Sequence, residues 1–519
     1  MSSTTASSTT ASSTTAISWF ARHELRLTGR EWLAMMAGGR RKRKRGAVVI
    51  GLTIFVSLLH LLAWLVVGRF SDLRLPLDKS PLIVISATIF LAWALMLSQA
   101  IESVTRVFYA RADLDLIMSS PARLANVFSV RITAIALTVT STALLLVTPF
   151  IDVLVIGGGP RWFAAFGVAA AMGLSAMAIA IAVTVLLFRL IGPARTRFIA
   201  QILAAVIGAG FVIALQMAAI MSYGTLSRFA VLTSDAVAAY APDVDSVLWW
   251  PARAVMGDSE ALLLLFAFGL VLLGSVMAIF SPRFADTAIN AAAFGASARR
   301  TARKRRFHAG SSQQALRRKE FMLLWRDPWL ISQTLMQLLY LAPPALMLWR
   351  SFSDSSEALM VITPVLVMAS GQLAGGLAWL TISGEDAADL VTTAPLAPSR
   401  IIRAKIEVVL IAIAVVFTPL IAALAFASPL QAAITAIAIV ISAASATAIQ
   451  LWFRVQAKRS QFRRRQTSSR LATFAEAFSS IGWAATAALL LTLPPAAIFS
   501  GLITAGLLAA TWKFSPQRE

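Results

Sequence analysis

The chain has 519 residues, of which 58% are hydrophobic and only 13% charged, against about 25% charged in an ordinary globular domain. That composition excludes a soluble globular protein, and the absence of any cysteine excludes disulfides, thiolate metal sites and cysteine nucleophiles. The formal charge of +22 does not point to nucleic acid, because the basic residues lie in short segments between apolar runs, the pattern of cytoplasmic loops in membrane proteins.

In chain order, residues 1–18 come first as a Ser/Thr-rich tail, three copies of SSTTA from Ser2 to Ala16 with neither a basic n-region nor an apolar h-region. This composition predicts disorder and no signal peptide. Twelve apolar stretches follow at 47–67, 81–101, 132–151, 162–188, 198–221, 261–280, 330–349, 358–382, 408–427, 432–453, 477–493 and 496–512. A helix needs about 20 apolar residues to cross roughly 30 Å of hydrocarbon, and barrel strands would alternate with period two. The expected fold is therefore an all-α polytopic membrane protein with about twelve transmembrane helices. Leu493-Pro494-Pro495 joins the last two stretches, which are short enough to form a tight hairpin or a partly re-entrant pair.

Orientation follows from loop charge. Arg283–Glu320 holds ten basic and two acidic residues, whereas Ser222–Glu260 has only Arg228 and Arg253 beside five acidic residues. The first is expected in the cytoplasm and the second outside, which places both termini in the cytoplasm. The basic, small-residue segment 297–314 is expected to be a linker between a first six-span half, 19–296, and a second, 315–519.

The two halves repeat one another. Ala110–Ile132, ARADLDLIMSSPARLANVFSVRI, aligns without a gap on Gly384–Ile406, GEDAADLVTTAPLAPSRIIRAKI. Asp115-Leu116 falls on Asp389-Leu390, Pro121 on Pro395 and Arg131 on Lys405, all at an offset of 274 (389 − 115). Before the first and seventh stretches, RHELRLTGREWL matches RKEFMLLWRDPWL, with Glu24 on Glu320, Arg30 on Arg326 and Glu31 on Asp327. Parallel halves of this kind are related by an axis along the membrane normal. In the second copy, Glu385 and Asp386 stand where a helix N-terminus favours negative charge. Pro395 and Pro398 end that helix, and a new one starts near Ser399.

These motifs, together with Trp249–Asp258, WWPARAVMGD, resemble the ABC-2 type exporter permeases, in particular the bacterial ones in which two six-span halves are fused. The resemblance covers most of the chain from about Trp19. It implies that Asp113, Asp115, Leu116 and Pro121 in one half, and Glu385, Asp386, Asp389, Leu390 and Pro395 in the other, dock onto ATPase subunits. It implies also that Glu24, Arg30, Glu31, Glu320, Arg326 and Asp327 lie on helices at the membrane surface. The expected partners are separate ABC ATPase subunits, two per chain, together with the lipid bilayer and no nucleic acid.

The chain has no G-x-x-x-x-G-K-[ST] motif, so ATP and Mg would be held by the partner and no cofactor by this chain. No catalytic, metal or substrate-binding residues are assigned. Of the three histidines, His23 and His308 lie in loops, and His60, in the first stretch, reads as a packing residue. The polar residues noted within the stretches are Gln99, Gln201, Gln216, Gln333, Gln337 and Gln372, with essentially no charge at mid-span to couple an ion gradient. The expectation is a permease moving an unidentified substrate across a bacterial inner membrane. The alternatives are an ion-coupled secondary transporter and a non-transporting membrane scaffold or enzyme.

Overall fold

A computed structural model describes residues 59–68, 78–109, 124–223, 231–281, 311–326, 356–383, 395–453 and 470–513, with isolated positions between them. Among the described residues 93% are helical and no strand occurs. The apolar helix α1 covers Leu59–Gly68. It is followed by α2 (Lys79–Tyr109), α3 (Leu124–Gly158), a 3₁₀ turn (Pro160–Phe163), α4 (Ala164–Ile191) and α5 (Pro193–Tyr223). Two short helices, α6 (Asp235–Tyr240) and α7 (Trp250–Val255), lead into α8 (Ser259–Phe280). Then come α9 (Ser312–Arg326), α10 (Ser356–Ser383), α11 (Pro398–Ala427), α12 (Pro429–Phe453), α13 (Arg470–Thr492) and α14 (Pro494–Lys513).

Ten of these, α2 to α5, α8 and α10 to α14, are long and apolar enough to cross a membrane among the described residues. By length and composition the chain is thus an all-α, multi-pass membrane protein. Of the other two expected stretches, 47–67 is described only in part, through α1, and 330–349 lies almost wholly outside the described residues. The closing pair is not truncated: α13 has 23 residues and α14 has 20, enough at 1.5 Å per residue to reach about 30 Å or more. Leu493 alone joins them, and Pro494 opens the second helix at a position where its missing amide hydrogen costs nothing.

Local chemistry accounts for the boundaries. Gly192, at a φ of 74°, ends α4, and Pro193 begins α5. Within α3, Thr133, Thr138, Thr142 and Thr148 each donate to the carbonyl four residues back, which satisfies hydroxyls in a segment where lipid offers no partner.

The chain divides into two compact units, Met1–Leu215 with Ser227–Lys304 and Gln216–Leu226 with Arg305–Glu519. In the first, α2, α3 and α8 pack around α4. Met96, Ile101, Phe128, Ile132, Met177, Ile181 and Leu273 fill that core. In the second, α11, α12 and α13 pack around α10, and α14 lies against α13. Leu366, Leu373, Val409, Phe417, Ile439 and Ala484 fill its core.

Candidate functional site at the α9–α11 junction

The helix α9 starts with a reciprocal cap. The Ser311 hydroxyl accepts from the Gln314 amide, and the Gln314 side chain accepts from the Ser311 amide, the Ser-x-x-Gln arrangement that satisfies two orphan donors at a helix start. Along α9, Gln313, Arg317 and Glu320 recur at intervals of four and three, which puts them on one face. That face meets the first turns of α11, where Arg400, Arg403 and Glu407 recur at the same intervals and the fully buried Ala404 permits close approach.

Two clusters of charge hold the helices together. In the inner one, the Lys405 ammonium lies 3.0 Å from Glu320 Oε1 and 3.1 Å from Oε2, with the Lys319 ammonium 3.3 Å away. Glu320 is fully buried. Lys405 also donates to the carbonyl of Thr381, one of the last four carbonyls of α10, which have no partner within their own helix. One ammonium therefore ties α9, α10 and α11 at a single point. In the outer cluster, Glu407 accepts from Arg317 Nε at 2.6 Å, Arg403 Nε at 2.9 Å and Gln313 Nε2 at 3.2 Å. The bond to Glu407 holds the Arg317 guanidinium above its ordinary range. Arg400 adds a bond from Nη1 to the Ser312 hydroxyl at 3.2 Å.

Immediately before α11, the exposed Pro395 sits in a bend, and Ala397, Pro398 and Ser399 are exposed as well. Proline occupies the first helical position, so α11 begins within one residue of the expected start. Arg326 is the last residue of α9. Asp113, Asp115, Leu116, Pro121, Glu385, Asp386, Asp389, Leu390, Glu24, Arg30, Glu31 and Asp327 lie outside the described residues. The structure thus places Glu320, expected on a surface helix, with its carboxylate turned inward onto Lys405. Sequence reasoning missed Glu407 and the Ser311 cap, although the Arg403–Glu407 spacing of four and the Ser-x-x-Gln pattern were both readable.

A second polar cluster lies within the spans. Glu476 on α13 is buried and accepts from Gln450 Nε2 of α12 at 2.5 Å. A Cβ built on Gly375 of α10 would overlap its carboxyl group, and one built on Gly371 would overlap the Ser442 and Ser480 hydroxyls. Glu476 lies one residue outside the expected 477–493 stretch, and Gln450 lies inside 432–453 with no local pattern to mark it.

The motif Trp249–Asp258 forms a cap on the first unit. Trp249 Nε1 donates to the carbonyls of Pro242 and Asp243. Its ring packs with Leu82, Ile83 and Ala252. Gly257, at a φ of 106°, turns the chain, and its backbone faces Arg161 so closely that a Cβ would lie 3.0 Å from the arginine's own. Asp258 then caps α8, accepting from the amides of Ala261 and Glu260 at 3.1 Å each. Those amides, the Ala261 amide foremost, and the Arg253 guanidinium hold its carboxyl below the ordinary aspartate range.

Among the described residues no group of three or more His, Asp or Glu side chains could hold a metal ion. Compared with family models, curated proteins and solved structures, the chain matches none. The arrangement at the α9–α11 junction is a fastening between a polar helix and two apolar ones.

Proposed function

We propose that the chain is the membrane-spanning permease subunit of an ATP-driven exporter of the ABC-2 type. It would comprise twelve spans in two parallel six-helix halves in a bacterial inner membrane, with both termini in the cytoplasm. Two separate ATPase subunits would dock at the elbows around Asp115 and Asp389 and supply the ATP and Mg chemistry. The observation that carries this reading is the buried Glu320–Lys405 pair. It fastens the polar helix α9 to the foot of α11, directly after the exposed bend at Pro395. A push on that bend would reach α9, α10 and α11 together through Lys405.

The test is co-purification with a Walker-A ATPase encoded in a neighbouring reading frame, followed by reversal of both elbow carboxylates, Asp115→Lys with Asp389→Lys. Loss of the complex and of stimulated ATP hydrolysis is expected. If both survive the double reversal, the docking assignment fails.

A second reading, an ion-coupled secondary transporter, draws support from Glu476, because a buried ionisable side chain within a span is the feature such carriers use. Under that reading no ATPase co-purifies, and Glu476→Gln abolishes the dependence of transport on an ion gradient.

A further inference from the structure

His60 of α1 and Asp152 of α3 meet within the first unit, with about a third of each side chain exposed. The imidazole Nε2 lies 3.2 Å from Asp152 Oδ2, and Nδ1 lies 2.9 Å from the backbone carbonyl of Val56, one turn earlier. Both neighbours are oxygen atoms. A backbone carbonyl only accepts, so Nδ1 must carry a hydrogen. An ionised carboxylate also only accepts, so either Nε2 carries a second hydrogen or Asp152 is protonated and donates to Nε2. In both arrangements the pair holds one proton more than a neutral imidazole beside an ionised carboxylate. Remove it, and whichever tautomer remains sets a nitrogen lone pair against an oxygen at one of the two contacts.

We infer that His60 and Asp152 form a proton-binding dyad that fastens α1 to α3. Its ligand is a single proton, released as pH rises, so the fastening is complete while the pair holds that one proton and weakens in base. The other charged residue of α3 is Arg131, 21 residues and on the order of 30 Å along the helix. On the elements packed against α3, the charged residues are Lys79, Glu102 and Arg106 of α2, Arg189 of α4 and Arg161 of the 3₁₀ turn. Lys79 is engaged with the Ala241 carbonyl and Asp243, and Arg161 lies over the Trp162 ring.

The sequence makes the test direct, since it holds three histidines and no cysteine. In the full chain in lipid vesicles, ring-nitrogen labelling of histidine yields three sets of NMR signals, and loss of one set in His60→Gln identifies it. At pH 7 the wild-type His60 ring is expected to show two protonated nitrogens, or a protonated Nδ1 with a hydrogen-bonded Nε2. Asp152→Asn should move the His60 midpoint by about one pH unit or more, a tenfold change in proton affinity, and leave His23 and His308 in place. Spin labels at Leu61→Cys and Leu145→Cys should report an α1–α3 distance distribution that broadens as the dyad loses its proton. A neutral Nε2-protonated ring at pH 7 in the wild type overturns the inference, as does a midpoint unmoved by Asp152→Asn. Should Asp152→Asn fail to fold, the wild-type tautomer at pH 7 decides by itself.

Discussion

Helices α2 and α10 are both apolar and long enough to cross a bilayer, yet they sit differently in their units. Of the most apolar window of α10, 78% is buried, against 28% for α2. The difference is in the small and polar residues. The α10 helix brings Gly371 and Gly375 against Ser442, Ser480 and Glu476, and its Thr363 hydroxyl meets Thr435 and Gln431. In the first unit the central helix is α4, which takes Thr140 of α3 at Gly173 and lets Gly269 of α8 approach the Ala171 carbonyl. Lipid is as apolar as leucine, so leucine alone cannot choose which helix is central; close approach and hydrogen bonds choose. Among the described residues both units add polar contacts to close fit; those between helices of the first, such as Trp93 with Ser175, are part-buried, and those at Thr363 and Glu476 in the second are buried.

That contrast can be broken experimentally, beginning at the junction. Lys405→Met removes the main cation from a fully buried carboxylate and should cost about 3–5 kcal/mol. Thermal unfolding of the purified protein should show most of the loss restored in the Glu320→Met, Lys405→Met double variant. Single variants that unfold like wild type would show the junction to be ornamental.

Gly375→Ala should cost about 1–3 kcal/mol by overpacking against Glu476. Gly274→Ala, where a Cβ meets nothing within 4 Å, should be neutral or stabilising by up to about 1 kcal/mol. Equal melting temperatures for the two alanines would erase the contrast. Gln450→Leu removes the amide donor from the buried Glu476 carboxylate and should cost about 1–3 kcal/mol, a loss that Gln450→Glu in acid would partly recover.

The smallest effect belongs to the first unit. Asp258→Ala deletes the cap of α8, for about 1 kcal/mol. Because the folded-state carboxyl titrates below its ordinary value, the cap's contribution is complete above about pH 4 and is lost as pH falls through the lowered value. Acid unfolding curves of wild type and Asp258→Ala should therefore converge at low pH and separate near neutrality.

The sequence made the ten long helices legible because their cue is local: uninterrupted apolar length. The start of α11 was legible for the same reason, since Pro398 announces it. Pairings between helices were harder. Glu320 and Lys405 were each singled out, through matches in different segments, but 85 residues separate them and no periodicity joins positions that far apart. Glu476 was hidden by the edge of an apolar window, and only the glycine facing it on α10 reveals how closely it is held.

The two charge clusters at the junction differ in what water and salt can reach. Arg403 is 74% exposed beside Glu407, whereas the Glu320 side chain is 1% exposed beside Lys405. Mobile ions screen exposed pairs over about 8 Å at physiological strength and reach buried ones far less. Raising ionic strength therefore loosens the outer rung of the attachment and leaves the inner rung intact. The α9 helix is hung as a door is, with a pin that brine does not touch and a latch edge that it does.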